Sequence, residues 1–260
     1  MKIIYDKAPV AFGYPPKIRG ADQEIASMAL QTLLKIGEGG VIEPLLATSW
    51  ELAPDGKSYT LKLRKGVKFH DGTDFNAQAV KYNLDPFVEA PGPVLSGVTS
   101  VDVVDDYTVR LNLSEFDNTI LYELGIESFM ASPTALEKNG AEWAETHPVG
   151  TGAFKFVSYE RPVSVKWERF DDYWEEGLPY LDGIEAMIIA EPMTRTASLK
   201  AGEAQGIYNL KLEHAKMLEE EYDVFWTPVM HLGFLGDSKP PDSVFANKKV
   251  REAIEYAIDK

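Results

Sequence analysis

Apolar residues recur along this chain at two periods, and the alternation between the periods lays out its elements. Ile25, Met28, Ala29, Leu33 and Ile36 share one face at helical spacing, with Asp22 placed to cap the start and the glycines of 37–40 placed to stop the end. Asn76 heads a second helix carrying Val80, Leu84 and Phe87. Ser132 followed by Pro133 opens another over 133–146, and 118–125, 194–203 and 211–221 also read as helical. Period two marks the strands. Residues 3–5 form a short one, and Tyr59, Leu61 and Leu63 alternate with Thr60, Lys62 and Arg64 behind the Pro54-Asp55-Gly56 turn. Hairpins are predicted at 98–104 with 107–113 around Asp105-Asp106, and at 154–159 with 163–170 around Arg161-Pro162. A largely apolar strand holds Ile184, Met187, Ile188 and Ile189, and a further strand is expected near 224–226.

The chain ends on a helix with Val250, Ile254, Ala257 and Ile258 at i, i+4, i+7 and i+8. No Gly or Pro follows to stop it, only Asp259 and Lys260. Its apolar face needs a cover, either from this chain or from a part that is missing. The pattern as a whole is an α/β mixture with antiparallel hairpins concentrated between 45 and 170, without internal repeats or a low-complexity linker.

Composition narrows the function classes. At 260 residues the chain suits one large domain or two smaller ones, and 45% hydrophobic with 26% charged residues argues against disorder. A net charge of −15 argues against nucleic acid as a partner; it keeps a surface soluble and would suit a cationic ligand. Without cysteine there is no disulfide, thiolate chemistry or Cys-based metal site. Residues 1–10 lack the apolar run of a signal peptide, so for an exported protein the signal has been removed. No stretch approaches the roughly 18 apolar residues of a membrane span.

Candidate chemistry is sparse. His70, His147, His214 and His231 show no metal-binding spacing, and there is no nucleophile elbow or P-loop. Gly150-Thr151-Gly152 enters a strand rather than a helix, so it reads as a tight turn needing backbone freedom, not a phosphate cradle. Asp105-Asp106 and Asp171-Asp172 sit at turns and do not converge as a glycosidase pair. No catalytic residue, metal ligand or cofactor motif emerges. That favours a binder over an enzyme.

The stretch PLLATSWELAPDGKSYTLKLRKGVKFHDGTDFNAQAV, residues 44–80, resembles the signature of the family 5 solute-binding proteins of ABC transporters, the dipeptide-, oligopeptide- and nickel-binding group. PVGTGAFKFVSYE (148–160), Asp172-Tyr173-Trp174 and the closing VREAIEYAIDK match further blocks in order, so the resemblance covers the whole chain. It implies an α/β fold: the first lobe of a class II periplasmic-binding-protein architecture with a mixed sheet, plus a small peripheral α+β domain. The first lobe is expected at 1–44 and 171–260 and the peripheral domain at 45–170. Family members continue from the closing helix into a second large lobe, which this chain would lack, and enclose solute between the lobes. Within this frame Trp50 and Phe69 are core residues and His70 is a signature of the fold.

The resemblance implies a receptor that presents a small solute to ABC permease transmembrane subunits, in the periplasm or anchored at the cell surface. Peptide ranks ahead of sugar or metal chelate on family frequency. Nickel-type relatives use Arg and Trp where this chain has Ala90-Pro91-Gly92-Pro93, and another Arg near Ser128-Phe129-Met130; neither is present. Gln205-Gly206 replaces the acidic residue usual after Gly202-Glu203. The first-lobe wall of the cleft falls on the loop after the first strand, which nominates Tyr14, Arg19 and Gln23 as ligand contacts. Two alternatives stay open: a truncated form acting by protein contact or self-association, through the exposed cleft face or the last helix, and, more distantly, a hydrolase.

Overall fold

The computed structural model describes residues 1–90, 92, 94–225 and 243–257, without the side chains of Phe245 and 254–257. The chain divides into two compact units, Met1–His214 and Ala215–Lys260. The first unit begins with β1 (Lys2–Tyr5), α1 (Asp22–Ala26), β2 (Gln31–Thr32), β3 (Leu34–Ile36), β4 (Ile42–Pro44), β5 (Ala47–Leu52) and β6 (Ser58–Leu63). There follow α2 (Ala77–Glu89), β7 (Val98–Asp105), β8 (Thr108–Leu113), α3 (Ile120–Ile126), β9 (Phe129–Met130), α4 (Pro133–Asn139) and α5 (Ala141–Ala144). It closes with β10 (Phe154–Glu160), β11 (Ser164–Arg169), β12 (Gly183–Ile188), α6 (Pro192–Lys200) and β13 (Gly206–Ile207), and α7 (Leu212–Lys216) lies at the division. The described part of the second unit holds α8 (Lys248–Ala257), whose Lys248 pairs with Glu252 one turn on at 3.3 Å.

Two sheets carry two apolar cores within the first unit. One sheet has the order β10-β11-β12-β1-β13; β1 runs parallel to both β12 and β13, while β10, β11 and β12 are antiparallel. Tyr5, Phe12, Ile18, Ile25, Leu30, Val165 and Trp167 fill its core. The other sheet, β5-β6-β8-β7, is antiparallel throughout. Its inward face supplies Leu61, Val109 and Leu111, and Phe69, Phe75 and Leu84 pack with them. α2 lies on this sheet because Asn76 caps it, accepting from Ala79 N–H at 3.0 Å, and because Val80, Leu84 and Phe87 share its buried face.

Several expectations are met at this level: the strand through Tyr59, Leu61 and Leu63, both hairpins, the Ser132 cap and the Asn76 helix. Others are corrected. The helix at Asp22 is only five residues long, and Asp22 does not cap it; its carboxylate accepts from Val10 and Ala11 N–H and folds back the loop after β1. Residues 29–34 are buried without a break, and after the turn at Ala29 they form the strands Gln31–Thr32 and Leu34–Ile36 with a bend at Leu33, so a helical period read there was an accident of continuous apolar sequence. The glycines of 37–40 turn the β3–β4 hairpin, with Gly39 and Gly40 at φ 69° and 80°, rather than stopping a helix. The helix expected over 133–146 breaks at Gly140, and the tip of the hairpin predicted at Asp105-Asp106 falls at Asp106-Tyr107. The 154–169 hairpin joins the sheet of β1, not the antiparallel sheet with which the 45–170 grouping had placed it. Val224 and Phe225 are not in a strand, and Trp226, His231 and Ile258 lie outside the described residues.

The chain crosses between the cores twice, and the crossings pair: β2 lies antiparallel to β9, with Gln31 opposite Met130 and Thr32 opposite Phe129. Around this pair the sequence motifs converge. Gly150 and Gly152 lie on the Ala29–Leu30 backbone so closely that a Cβ at Gly150 would fall 2.2 Å from Ala29 O, and one at Gly152 2.8 Å from Ala29 C. Neither glycine has a positive φ, so close approach, not turn freedom, is what they supply. Gln31, 9% exposed, accepts through Oε1 from Thr151 Oγ1 and Trp174 Nε1, and donates from Nε2 to Tyr173 Oη, each at 3.0 Å. Arg64 stacks 4.1 Å over the Trp174 ring and donates from Nε to Leu45 O. From the other core, Asp71 accepts from Ser132 Oγ, and Asn83 brackets Ala131 by bonding both its N–H and its C=O.

His70 closes the joint. Its backbone N–H donates to Gly150 O at 2.8 Å, its Nδ1 accepts from Gly150 N–H at 3.3 Å, and its Nε2 lies 2.8 Å from Gly152 O as the donor. A proton on Nδ1 would face the Gly150 N–H, and burial, above all, holds the imidazole down to about 4 from its usual 6.5; Lys155 nearby acts the same way, while the Gly152 carbonyl and Asp71 oppose it.

Two outcomes follow for stability. Gly150→Ala is expected to cost at least about 2 kcal/mol in urea denaturation, because the clash is with backbone and not with a side chain that could turn aside. The unfolded chain takes up the His70 proton as pH falls below 6.5 while the folded chain does not until about 4. Stability from this group is therefore complete above pH 6.5 and lost toward pH 4, by about 3 kcal/mol. The difference in urea midpoint between the parent and His70→Gln across that range should reveal it; parallel curves would refute it.

Candidate functional site

In an open α/β sheet the ends of parallel strands leave a crevice at their carboxyl edge, between loops that leave in opposite directions. Here that edge is formed by β12, β1 and β13, with β1 in the middle. Tyr5 ends β1 and Asp6 follows it; Tyr208 and Asn209 follow β13; and Glu24 reaches the same place from α1. Tyr5 and Tyr208 stack with ring centroids 5.1 Å apart. Tyr208 Oη donates to Glu24 Oε1 at 2.8 Å, and Asn209 Nδ2 donates to Asp6 at 3.3 Å. Asn209 takes a left-handed backbone with φ 56°, a conformation asparagine tolerates better than most residues.

The electrostatics of this edge are unbalanced. Glu24 Oε2 is buried without a hydrogen-bond partner, and among the described residues neither Glu24 nor Asp6 forms an ion pair. Burial, with the field of Glu24 added, pushes the Tyr5 phenol up to about 12. Tyr208 is raised further, first by burial, then by its bond to Glu24 and by the charges of Glu24 and Asp6. Arg195, in the first turns of α6, is 3% exposed; its Nη1 lies 3.4 Å from Asn209 O and its Nε has no partner. Glu191 already caps α6 through Met193 and Thr194 N–H, so Arg195 receives no help from that carboxylate.

The residues nominated from the sequence do not form one cluster, and only Gln23, beside Glu24, adjoins this edge. All three follow the carboxyl end of β1. Tyr14 is half-buried at the start of the 3-10 turn Pro15–Lys17 and near Tyr82 of α2. Arg19 donates to Ile18 O at 2.6 Å and stands 3.8 Å from Glu127. Gln23 is on α1, one position from Glu24. Asp6, Glu24, Arg195, Tyr208 and Asn209 were missed. The strand that brings Tyr208 and Asn209 here is two residues long, too short to leave a period, and nothing local marks Glu24 as different from other acidic helix residues. No group of three or more His, Asp or Glu suited to a metal occurs among the described residues.

Comparison with known proteins places this fold. Residues 41–260 match the profile of the bacterial extracellular solute-binding proteins, family 5 middle region. The glutathione-binding protein GsiB of Pectobacterium atrosepticum is 37% identical over 255 residues, covering 92% of this chain and 48% of that protein. An ABC transporter substrate-binding protein from Sinorhizobium meliloti superposes with a TM-score of 0.73 at 32% identity, over 85% of this chain and 47% of that one. The periplasmic binding protein DppA from Helicobacter pylori, solved with the peptide STSA, gives 0.74 at 28% identity, over 85% and 48%. The chain thus has the α/β fold of periplasmic binding proteins and spans about half the length of the relatives it matches.

Tyr208→Phe keeps the ring stack and removes the hydroxyl that donates to the Glu24 carboxylate. It is expected to cost about 1–2 kcal/mol in urea denaturation, since Glu24 is then left with neither oxygen bonded. An unchanged midpoint would mean that water already serves this carboxylate.

Proposed function

Because the chain belongs to the bacterial extracellular solute-binding proteins of family 5, we propose that it forms the solute-binding half of an ABC importer's receptor, outside the cytoplasmic membrane. The ligand is a peptide-sized solute, with a tripeptide such as glutathione the first to test. The observation that carries this reading is the carboxyl edge of β12, β1 and β13, where aromatic rings and polar groups lie in the crevice that open α/β sheets use for ligands. Gln23 beside Glu24 is the nearest of the nominated contacts, and Tyr14 and Arg19 extend the wall along the loop after β1. The receptor performs no chemistry; it works by differing affinity between open and closed states and delivers solute to the permease subunits.

The same reading divides the first unit at the β2–β9 crossing. The core around β1 belongs to the first lobe, and the core of the antiparallel sheet is the small peripheral domain, bounded near residues 33 and 129 instead of 45 and 170. Titration calorimetry of the full chain with glutathione, a dipeptide and glucose tests the function. Saturable heat with a peptide and none with glucose is expected. Absence of saturable binding to any peptide would overturn the peptide reading, and catalytic turnover of one would overturn the receptor reading altogether.

A further inference from the structure

An open cavity of about 250 Å³ in the first unit is walled by Trp143, His147 and Phe156 and flanked by His70, Asp71 and Lys155. Lys155 of β10 pairs in register with Glu168 of β11, and Glu168 with Gly183 at the start of β12. The cavity therefore sits toward the amino ends of β12 and β1, and it shares no residue with the edge of Tyr5 and Tyr208. Its aromatic walls are ordered among themselves. The Trp143 and His147 rings stack with centroids 4.6 Å apart and 12° between planes, and Phe156 meets His147 edge-on at 5.3 Å. His147 Nδ1 donates to Trp143 O at 2.8 Å, which fixes the tautomer of the neutral ring and leaves Nε2 an acceptor. No hydrogen bond reaches that Nε2 among the described residues. His70 spends both ring nitrogens in the joint, and Asp71 already accepts from Thr73 and Ser132. His147 Nε2 is thus the one acceptor that the three aromatic walls offer.

We propose that this cavity is a second binding site, for a small neutral heteroaromatic molecule whose ring N–H donates to His147 Nε2, with indole the simplest of the class. Volume and walls select the ring system. A benzene-sized guest fills an apolar protein cavity of roughly 150 Å³, so the larger space here takes a fused bicycle against aromatic surfaces. The acceptor selects the N–H: a hydrocarbon of the same shape would cover Nε2 and leave it without a partner. Charge of either sign is disfavoured. An anion would meet Asp71, and also Glu168, which stands 3.4 Å from Lys155; a cation would meet Lys155 itself.

Titration calorimetry of the full chain with indole, 1-methylindole, indole-3-acetate and tryptamine tests this. Indole is expected to bind at least about five-fold more tightly than 1-methylindole, which has the same rings without the N–H, and more tightly than either charged probe. His147→Phe keeps a ring against Trp143 and removes Nε2. It should bring indole down to the affinity of 1-methylindole and leave 1-methylindole unchanged, a result that loss of packing alone would not give. Saturating glutathione should leave indole binding unaltered. The proposal is overturned by absence of saturable indole binding, by equal affinity for indole and 1-methylindole in the parent chain, or by a charged probe that binds more tightly than indole. Equal weakening of indole and 1-methylindole by His147→Phe overturns it as well. So does displacement of indole by glutathione, since the ring is then in the solute crevice. The solute-binding reading stands or falls by the peptide titration, so the two fail separately.

Discussion

Everything else in the first unit depends on a backbone-to-backbone approach that only glycine permits. Gly150 and Gly152 sit against Ala29 and Leu30, and that contact brings Thr151 to Gln31 and the His70 ring to both glycines. Gln31 is a polar side chain placed where two apolar cores meet, and it would be costly there without partners. It has three, drawn from Thr151, Tyr173 and Trp174, which lie far away in sequence. Such a network either forms whole or fails. Its effect is to fix the angle between the crossing strands β2 and β9, and hence the relation of the antiparallel sheet to the sheet that holds β1.

Much of the fold was legible because its signals are local. Tyr59, Leu61 and Leu63 alternate in sequence and are buried in the structure; Asn76 and Ser132 cap the helices they precede. The failures share one cause. Where the chain passes between cores, every side chain is buried, and periodicity loses its meaning. Residues 31–36 therefore read as helix and fold as two short strands, and the glycines of 37–40 read as its stop when they turn a hairpin. The hairpin of 154–169 was recognised as a hairpin but not by the sheet it joins. Pairing of Val165 with Ala186 and of Trp167 with Ile184 is a contact across a loop, and no local pattern carries it.

The motifs that identified the family were legible as motifs, but their physical sense appeared only in three dimensions. Read singly, Gly150-Thr151-Gly152 was a turn, His70 a signature and Trp174 the end of a matching Asp172-Tyr173-Trp174 block. Together they are the joint. The edge residues were illegible for the opposite reason. Glu24, Asp6 and Asn209 are ordinary surface types until β13, two residues long, sets Tyr208 beside Tyr5. Tyr14, Arg19 and Gln23 were nominated from the loop after β1; Arg19 stands 3.8 Å from Glu127, and Glu24, the neighbour of Gln23, keeps an unpartnered carboxylate oxygen.

The joint and the edge are built on opposite principles. In the joint, His70 uses both ring nitrogens, Gln31 uses both ends of its amide, and Asp71 is shared between Thr73 and Ser132. Nothing is left for an outside group, so the arrangement stabilises the free protein and gains nothing from a ligand. At the carboxyl edge, Glu24 keeps an unused oxygen and Arg195 an unused nitrogen, and both reduce the stability of the free chain. The rigid joint gives that edge a fixed frame, so the sheet that presents it is ordered by contacts within the first unit.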